Sequence, residues 1–244
     1  MIKIIIHITK FIIAAVTALL FASCNLNVNT IKGSGNVTTE KRTLSGNFTK
    51  VSVSNAIDLV IIQSDSTEVV VEADDNIQQE ITTKVENGTL YIKCKYNSFQ
   101  DIATKRVTVK MPVIDKLAAW SAASIMSKGL IQGQDINIEA SSASTVDVNI
   151  ESDNITCDSD SGSSIRLEGK ALKMQASASS GGSVSARKLL ANEIHAEASS
   201  GGDVNVHPIV NLKASASSGG TVNYDITPKT IEKTSSSGGT ISQG

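Results

Sequence analysis

The residues of this chain best placed to do chemistry are acidic. Asp158 and Asp160 stand two apart, and Arg166 follows shortly after. Asp147, Arg187 and Asp203 are the other charged side chains expected on outward positions. Carboxylates and a basic group on one exposed sheet can abstract a proton or protonate a glycosidic oxygen, the chemistry of a polysaccharide lyase or hydrolase. The surroundings argue against it, because the counterparts of Asp158 and Asp160 one repeat later are Ser177 and Ser179, so no carboxylate column builds up. His195 and His207 fall on different faces with no Cys or carboxylate at metal-ligand spacing, and read as solvated surface histidines. The Gly-Gly pairs lack the Lys and the following helix of a phosphate loop. A calcium-binding solenoid needs an acid at every turn, whereas Asp203 is matched by Ser183, Thr221 and Thr240. We expect no catalytic residue, no metal site and no cofactor.

The elements that position these side chains form a repeat. MQASASSGGSVSA begins at Met174, IHAEASSGGDVNV at Ile194, LKASASSGGTVNY at Leu212 and IEKTSSSGGTIS at Ile231. INIEASSASTVDV from Ile136 and ITCDSDSGSSIRL from Ile155 are degenerate copies, and Leu117 opens a shortened one. Successive starts lie 18 to 20 residues apart, the signature of a solenoid. From the first apolar residue of each copy, positions 0, +2 and +4 carry Met174, Ala176 and Ala178, and positions +10 and +12 carry Val184 and Ala186. This period-2 alternation on both sides of a Gly-Gly step describes two short strands per repeat joined by a corner. Glycines at +7 and +8 supply positive φ there, and the serines before them are expected to satisfy corner backbone groups through their hydroxyls. Stacked about 4.8 Å apart, the strands pair in parallel with their counterparts. The fold class is all-β, a right-handed single-stranded parallel β-helix of about 19 residues per coil with an N-terminal β cap.

Core and corners claim most positions, leaving the outward ones for function. At +9 and +11 stand Thr145 and Asp147, Ser164 and Arg166, Ser183 and Ser185, Asp203 and Asn205, Thr221 and Asn223, then Thr240 and Ser242. They make a flat face of short polar side chains suited to a glycan or protein ligand. Trp120, the only Trp, takes an outward position in the first coil, where it can stack on a sugar or pack against the cap. The candidate ligand-binding residues are therefore Trp120, Thr145, Asp147, Asp203, Asn205, Thr221 and Asn223.

Residues 33–116 are strand-rich without a clean repeat, with alternation in Val51-Val53, Leu59-Ile61, Val69-Val71, Leu90-Ile92 and Val107-Val109. Asn87-Gly88 between Val85 and Leu90 is the strongest hairpin signal. A solenoid end exposes unpaired backbone and an open interior, so we read 33–116 as a cap continuous with coils 117–244. At the other end, the last coil is expected to be covered by another copy or a partner, giving a homo-oligomer through the C-terminal coil.

Lys3 and Lys10 precede an apolar stretch from Phe11 to Ala22, a leader too short to span a membrane. Phe21-Ala22-Ser23-Cys24 resembles a bacterial lipobox, with Phe21 in place of the usual Leu. It implies a signal peptide at 1–23, lipidation (palmitate) of Cys24 and a tether over 24–32. The tether carries no acid near Cys24, which resembles outer-membrane lipoproteins and leaves periplasmic or surface orientation open. Removing the leader takes two lysines and no acid, leaving 20 basic against 24 acidic residues. That balance, with no basic cluster, excludes nucleic acid as a partner. Cys94 and Cys157 are expected as buried free thiols.

Taken in order, GSGNVTTEKRTLSGNFTKVSVSNAIDLVII, EVVVEADDNI, NGTLYI and the Ala-Ser-Gly-Gly coils are similar to the head GIN domain family, described as auto-transporter adhesin heads and common in lipoproteins of Bacteroidetes. The resemblance covers roughly Leu44 to Thr230. It implies an extracytoplasmic β-helix with a role in adhesion and no catalytic residues. The resulting reading is a lipid-anchored, non-enzymatic binding or adhesion module. The alternatives are a carbohydrate-active enzyme using surface carboxylates and a purely structural envelope protein.

Overall fold

The computed structural model describes Lys10 and residues 29–244; the rest of the leader and Cys24 lie outside the described residues. The first strands are β1 (Thr30–Lys32), β2 (Val37–Arg42), β3 (Lys50–Val53), β4 (Asp58–Gln63) and β5 (Glu68–Asp74). A helical turn α1 (Asp75–Gln78) leads to β6 (Ile81–Glu86), β7 (Thr89–Cys94), β8 (Ser98–Gln100), β9 (Lys105–Met111) and β10 (Lys116–Trp120). Long strands follow: β11 (Ser124–Ser141), β12 (Thr145–Ser159), β13 (Ser164–Ala178), β14 (Ser183–Ala198) and β15 (Asp203–Ala216). The last are β16 (Thr221–Tyr224), β17 (Thr230–Ser235) and β18 (Thr240–Gln243).

The chain is a β-solenoid of about 7 turns with roughly 19 residues per coil. Ile136, Ile155, Met174, Ile194, Leu212 and Ile231 pair in one ladder, as their common position 0 requires. Val146, Ile165, Val184, Val204 and Val222 form a second ladder at +10, each with no exposed area. Val206 and Tyr224 at +12 also point inward. Inward side chains at +2 shrink from Ile138 through Cys157 to Ala176, Ala196 and Ala214, so the interior narrows toward the C-terminal coils.

The central coils are not pairs of short strands. Each long strand runs unbroken from one corner through the return to the next, and the return has inward residues of its own, among them Ile150, Leu189 and Ala191. The 20-residue spacing is accommodated by a register shift between Arg166 and Glu168, and the 18-residue spacing by shifts between Ala186 and Leu190 and between Ala191 and Glu193. The first coil is also set differently from its spacing. Leu117 pairs with Ile138, not Ile136, which moves Trp120 to the corner position opposite Ser141.

The two corner glycines do different work from that expected. In the corner Ser199–Gly202, positive φ falls on Ser200 (49°) and Gly201 (74°), and Gly202 N–H closes the turn on Ser199 O at 2.8 Å. This is a type I′ turn. Gly202 is needed for another reason: a Cβ there would lie 2.5 Å from the carbonyl carbon of Ala178 in the preceding coil. Gly-Gly corners hydrogen-bond along the stack through their backbones, Gly181 N to Ser200 O and Gly201 N to Ser218 O at 3.2–3.3 Å. In the two degenerate corners serine hydroxyls serve as expected: Ser144 Oγ accepts from Ser141 N at 2.9 Å and donates to Ala119 O at 2.8 Å, and Ser163 Oγ donates to Ala140 O at 2.7 Å.

The same corner recurs where the sequence hides it. Asn55 (φ 63°) and Ala56 (φ 55°) take the left-handed pair, with β3 before and β4 after, so β3–β4 is a coil. β3 pairs in parallel with β10 and β7, and β4 with β11 and β9. In space the earlier β3–β4 thus lies between β7/β9 and β10/β11. Beyond them the pairing turns antiparallel: β6 lies on β7 through the Asn87-Gly88 hairpin, and β5 lies on β9 with β2 outside it. α1 packs against β5 with Ile77 buried. Asp74, wholly buried, accepts from the amides of Gly35, Ala103 and Thr104 at 2.8–3.1 Å.

At the other end β17 and β18 form exposed rungs. Lys233 occupies the +2 position held by Ala214 one coil earlier, and its Nζ reaches the Tyr224 hydroxyl at 2.7 Å across the interior.

Candidate functional site

Outward residues on the rungs stand in columns because parallel pairing brings equal positions together. On the +9/+11 face the columns are cross-linked sideways. Arg166 bridges to Asp147 at 3.2 Å, and Arg187 donates to Asn205 at 3.3 Å. Asn223 donates to Asn205 at 3.3 Å, and Ser242 to Asn223 at 2.7 Å. Asn205 also donates to Asp203. The face therefore brings Asp203, Asn205, Thr221 and Asn223 together on neighbouring rungs, with Thr145 and Asp147 farther along. Trp120 is not with them, since it lies before the corner, on the other sheet.

Trp120 borders a basin of about 550 Å³ on that second sheet. Position +3 runs Tyr91, Ser52, Ala118, Glu139 on β7, β3, β10 and β11, so two small residues floor a gap between taller ones. Trp120, 37% exposed, stands on the corner side of the floor. Lys93 Nζ sits 5.1 Å from the Tyr91 ring centroid, Lys116 bonds Glu139 at 2.6 Å, and Lys50 lines the edge. Sequence reasoning found Trp120 and missed Tyr91, Lys50, Lys93, Lys116 and Glu139. The signal was present: KVSVSNAIDLVII repeats the coil pattern with Asn-Ala in place of Ser-Gly, and aligning it places Ser52 beside Ala118.

The carboxylates continue along this sheet. Burial pushes the Asp158 carboxyl above its ordinary range, with Glu139 and Asp160 adding repulsion and Ser177 opposing. Asp160 is held below it by hydrogen bonds from Ser141, at 2.6 Å, and Ser161. His195 and His207 each meet one carboxylate, Glu197 at 3.0 Å and Asp225 at 2.9 Å. Among the described residues no group of three or more His, Cys, Asp or Glu is placed to hold a metal. Cys94 and Cys157 are buried and free, and burial pushes both thiols upward.

A family model described as "Putative auto-transporter adhesin, head GIN domain" matches residues 47–228. Comparison with curated proteins gives no match. Among solved structures, one described as a "putative adhesin" from Bacteroides fragilis superposes with a TM-score of 0.80 at 19% identity, covering 88% of this chain and 100% of its own. A second from Parabacteroides merdae gives 0.69 at 18% identity, covering 89% and 100%. A third, from Parabacteroides distasonis and described as a "Putative lipid binding protein", gives 0.68 at 19% identity, covering 88% and 100%. At these identities the likeness establishes the shared fold.

Proposed function

We propose, from the premise that this chain belongs to the auto-transporter adhesin head GIN domain family, that it is a non-catalytic binding module of the cell envelope. In this reading a lipid on Cys24 holds it at the outer membrane. The segment 24–32, at most roughly 30 Å when extended, sets its distance from the surface. The observation that carries the reading is the cross-rung bonding of the outward columns, in which Arg166–Asp147 and Ser242–Asn223–Asn205 fix donors and acceptors in a regular array. The interior is filled by packed side chains, so a ligand meets the outer faces. Thr145, Asp147, Asp203, Asn205, Thr221 and Asn223 are the polar contacts we assign on the +9/+11 face. A second copy docking on the last coil has to accommodate Lys233.

Two measurements test this. Cys24→Ala should move the protein from the membrane to the soluble fraction, and unchanged detergent partitioning removes the lipid anchor from the reading. Protease shaving of intact cells should degrade it; complete protection would mean it faces the periplasm and cannot act as an adhesin.

A second reading has one observation in its favour. The environments of Asp158 and Asp160 push their acidities in opposite directions, the arrangement that separates an acid from a base. If the protein is a lyase or hydrolase, turnover of a polysaccharide should vanish in Asp158→Asn.

A further inference from the structure

We infer that the basin between Tyr91 and Trp120 is a second ligand site, on the sheet other than the +9/+11 face, and that it takes an anionic saccharide, the charge being carboxylate or sulfate. The inference rests on the binding-module reading and adds to it a site with a ligand class of its own. The first argument is shape. Ser52 and Ala118 stand on adjacent rungs at the same outward position, and Ala118 is only 3% exposed because its neighbours rise above it. Tyr91 is one rung beyond Ser52, and Trp120 is two positions along the strand from Ala118. Rungs about 4.8 Å apart and an axial rise of about 3.4 Å per residue put the two rings roughly 12 Å apart across the floor. That span admits a di- or trisaccharide lying flat.

Ring chemistry is the second argument. Aromatics make up 3% of the chain, and this basin holds the only Trp together with a half-buried Tyr. Both present an apolar face with a polar edge, the side-chain type that packs on the C–H face of a pyranose while hydrogen-bonding its hydroxyls.

Charge is the third. The chain as a whole carries a formal net charge of −2, yet the basin gathers Lys50, Lys93 and Lys116 against Glu139 alone. Lys116 is engaged with Glu139, and Lys93 stands over the Tyr91 ring with its ammonium exposed. Lys50, also exposed, lies on the rung next to Lys116. An ammonium has three donors, so Lys50 and Lys93 can each meet an anionic group at the rim while the rings hold the sugar. Farther along the same sheet Asp158 and Asp160 repel anions, which limits the site to the N-terminal side of Glu139.

The single Trp makes the test direct, because intrinsic fluorescence reports on this basin alone. Oligogalacturonate, a sulfated heparin-derived oligosaccharide and a neutral galactan oligomer of matched length are titrated into the full-length protein at low salt. A saturable fluorescence change is expected with at least one anionic probe, weakened tenfold or more with the neutral one. Lys50→Ala combined with Lys93→Ala should weaken binding at least tenfold, and Lys213→Ala, on the same sheet several rungs away, should leave it unchanged. No response to either anionic probe, or an equal response to the neutral one, overturns the ligand class. Binding that survives the double lysine change moves the site elsewhere while leaving the binding-module reading intact. Binding accompanied by cleavage keeps the site and overturns the non-catalytic reading.

Discussion

Replacing Gly202 by Ala should be far more damaging than replacing its neighbour Gly201, although Gly201 is the residue with left-handed backbone. At Gly202 the added Cβ would lie 2.5 Å from the Ala178 carbonyl carbon and 2.8 Å from Ser179 N, against ordinary contact from 3.4 Å. The rungs must therefore separate by roughly 0.6–0.9 Å. The flanking bonds, Ser199 N to Ala178 O at 2.9 Å and Asp203 N to Gly182 O at 3.0 Å, would then be stretched past useful length. Two lost hydrogen bonds at about 1 kcal/mol each, with about 1–3 kcal/mol of overpacking strain, give a loss of about 3–5 kcal/mol. At Gly201 (φ 74°) nothing lies within 4 Å of the new Cβ, so the cost is the left-handed penalty alone, about 1–2 kcal/mol. Urea unfolding followed by circular dichroism and Trp120 fluorescence measures both. Equal losses, or a larger loss for Gly201→Ala, would refute the assignment of close approach to one glycine and positive φ to the other.

Ala143 holds φ 62° in a corner without glycine, so Ala143→Gly should raise stability by about 0.5–1 kcal/mol, after allowing for the freer unfolded chain; a lower urea midpoint would contradict it. Val204→Asp places an unpaired charge at a fully buried rung position and should cost more than about 3 kcal/mol, whereas Thr145→Asp on the outer face should stay within about 0.5 kcal/mol, a comparison that melting curves settle. For Asp74, burial opposes ionisation but the amides of Gly35, Thr104 and Ala103 outweigh it and lower its pKa below the ordinary 3.8. A folded pKa below the unfolded one means stability that is full above about pH 4 and is lost as pH falls through the folded value. Asp74→Asn should therefore reduce the urea midpoint at neutral pH, by about 2–3 kcal/mol in stability, and flatten its decline under acid.

The coils announced themselves because Ala-Ser-Ser-Gly-Gly is a local pattern repeated at a fixed interval, and the outward polar columns follow from it by counting. Three things did not follow by counting. The β3–β4 coil uses Asn55-Ala56 where its relatives use Ser-Gly, and the chain then builds β5 through β9 on the far side of that coil before β10 pairs on its near side, so neighbours in space are separated in sequence. That detour brings Tyr91, Ser52 and Ala118 into one column, and no periodicity within the sequence marks it. The register of Leu117 failed for a related reason: pairing starts with Lys116 opposite Asn137, so Leu117 stands at +2 rather than at 0, which offsets Trp120 by two positions. The left-handed serines were hidden too, because glycine draws attention as the permissive residue while Ser200 and its counterparts take the same conformation beside it.

A parallel stack carries its own copying template, since the open rung at its edge offers the same row of donors and acceptors that the rung beneath it used. Lys233 interrupts that invitation. A strand laid on β17, from this chain or any other, would have to bury an ammonium, held by the Tyr224 hydroxyl, at the place where the preceding rung offers a methyl group. The amine makes polymerisation energetically uphill while leaving the edge hydrogen bonds untouched.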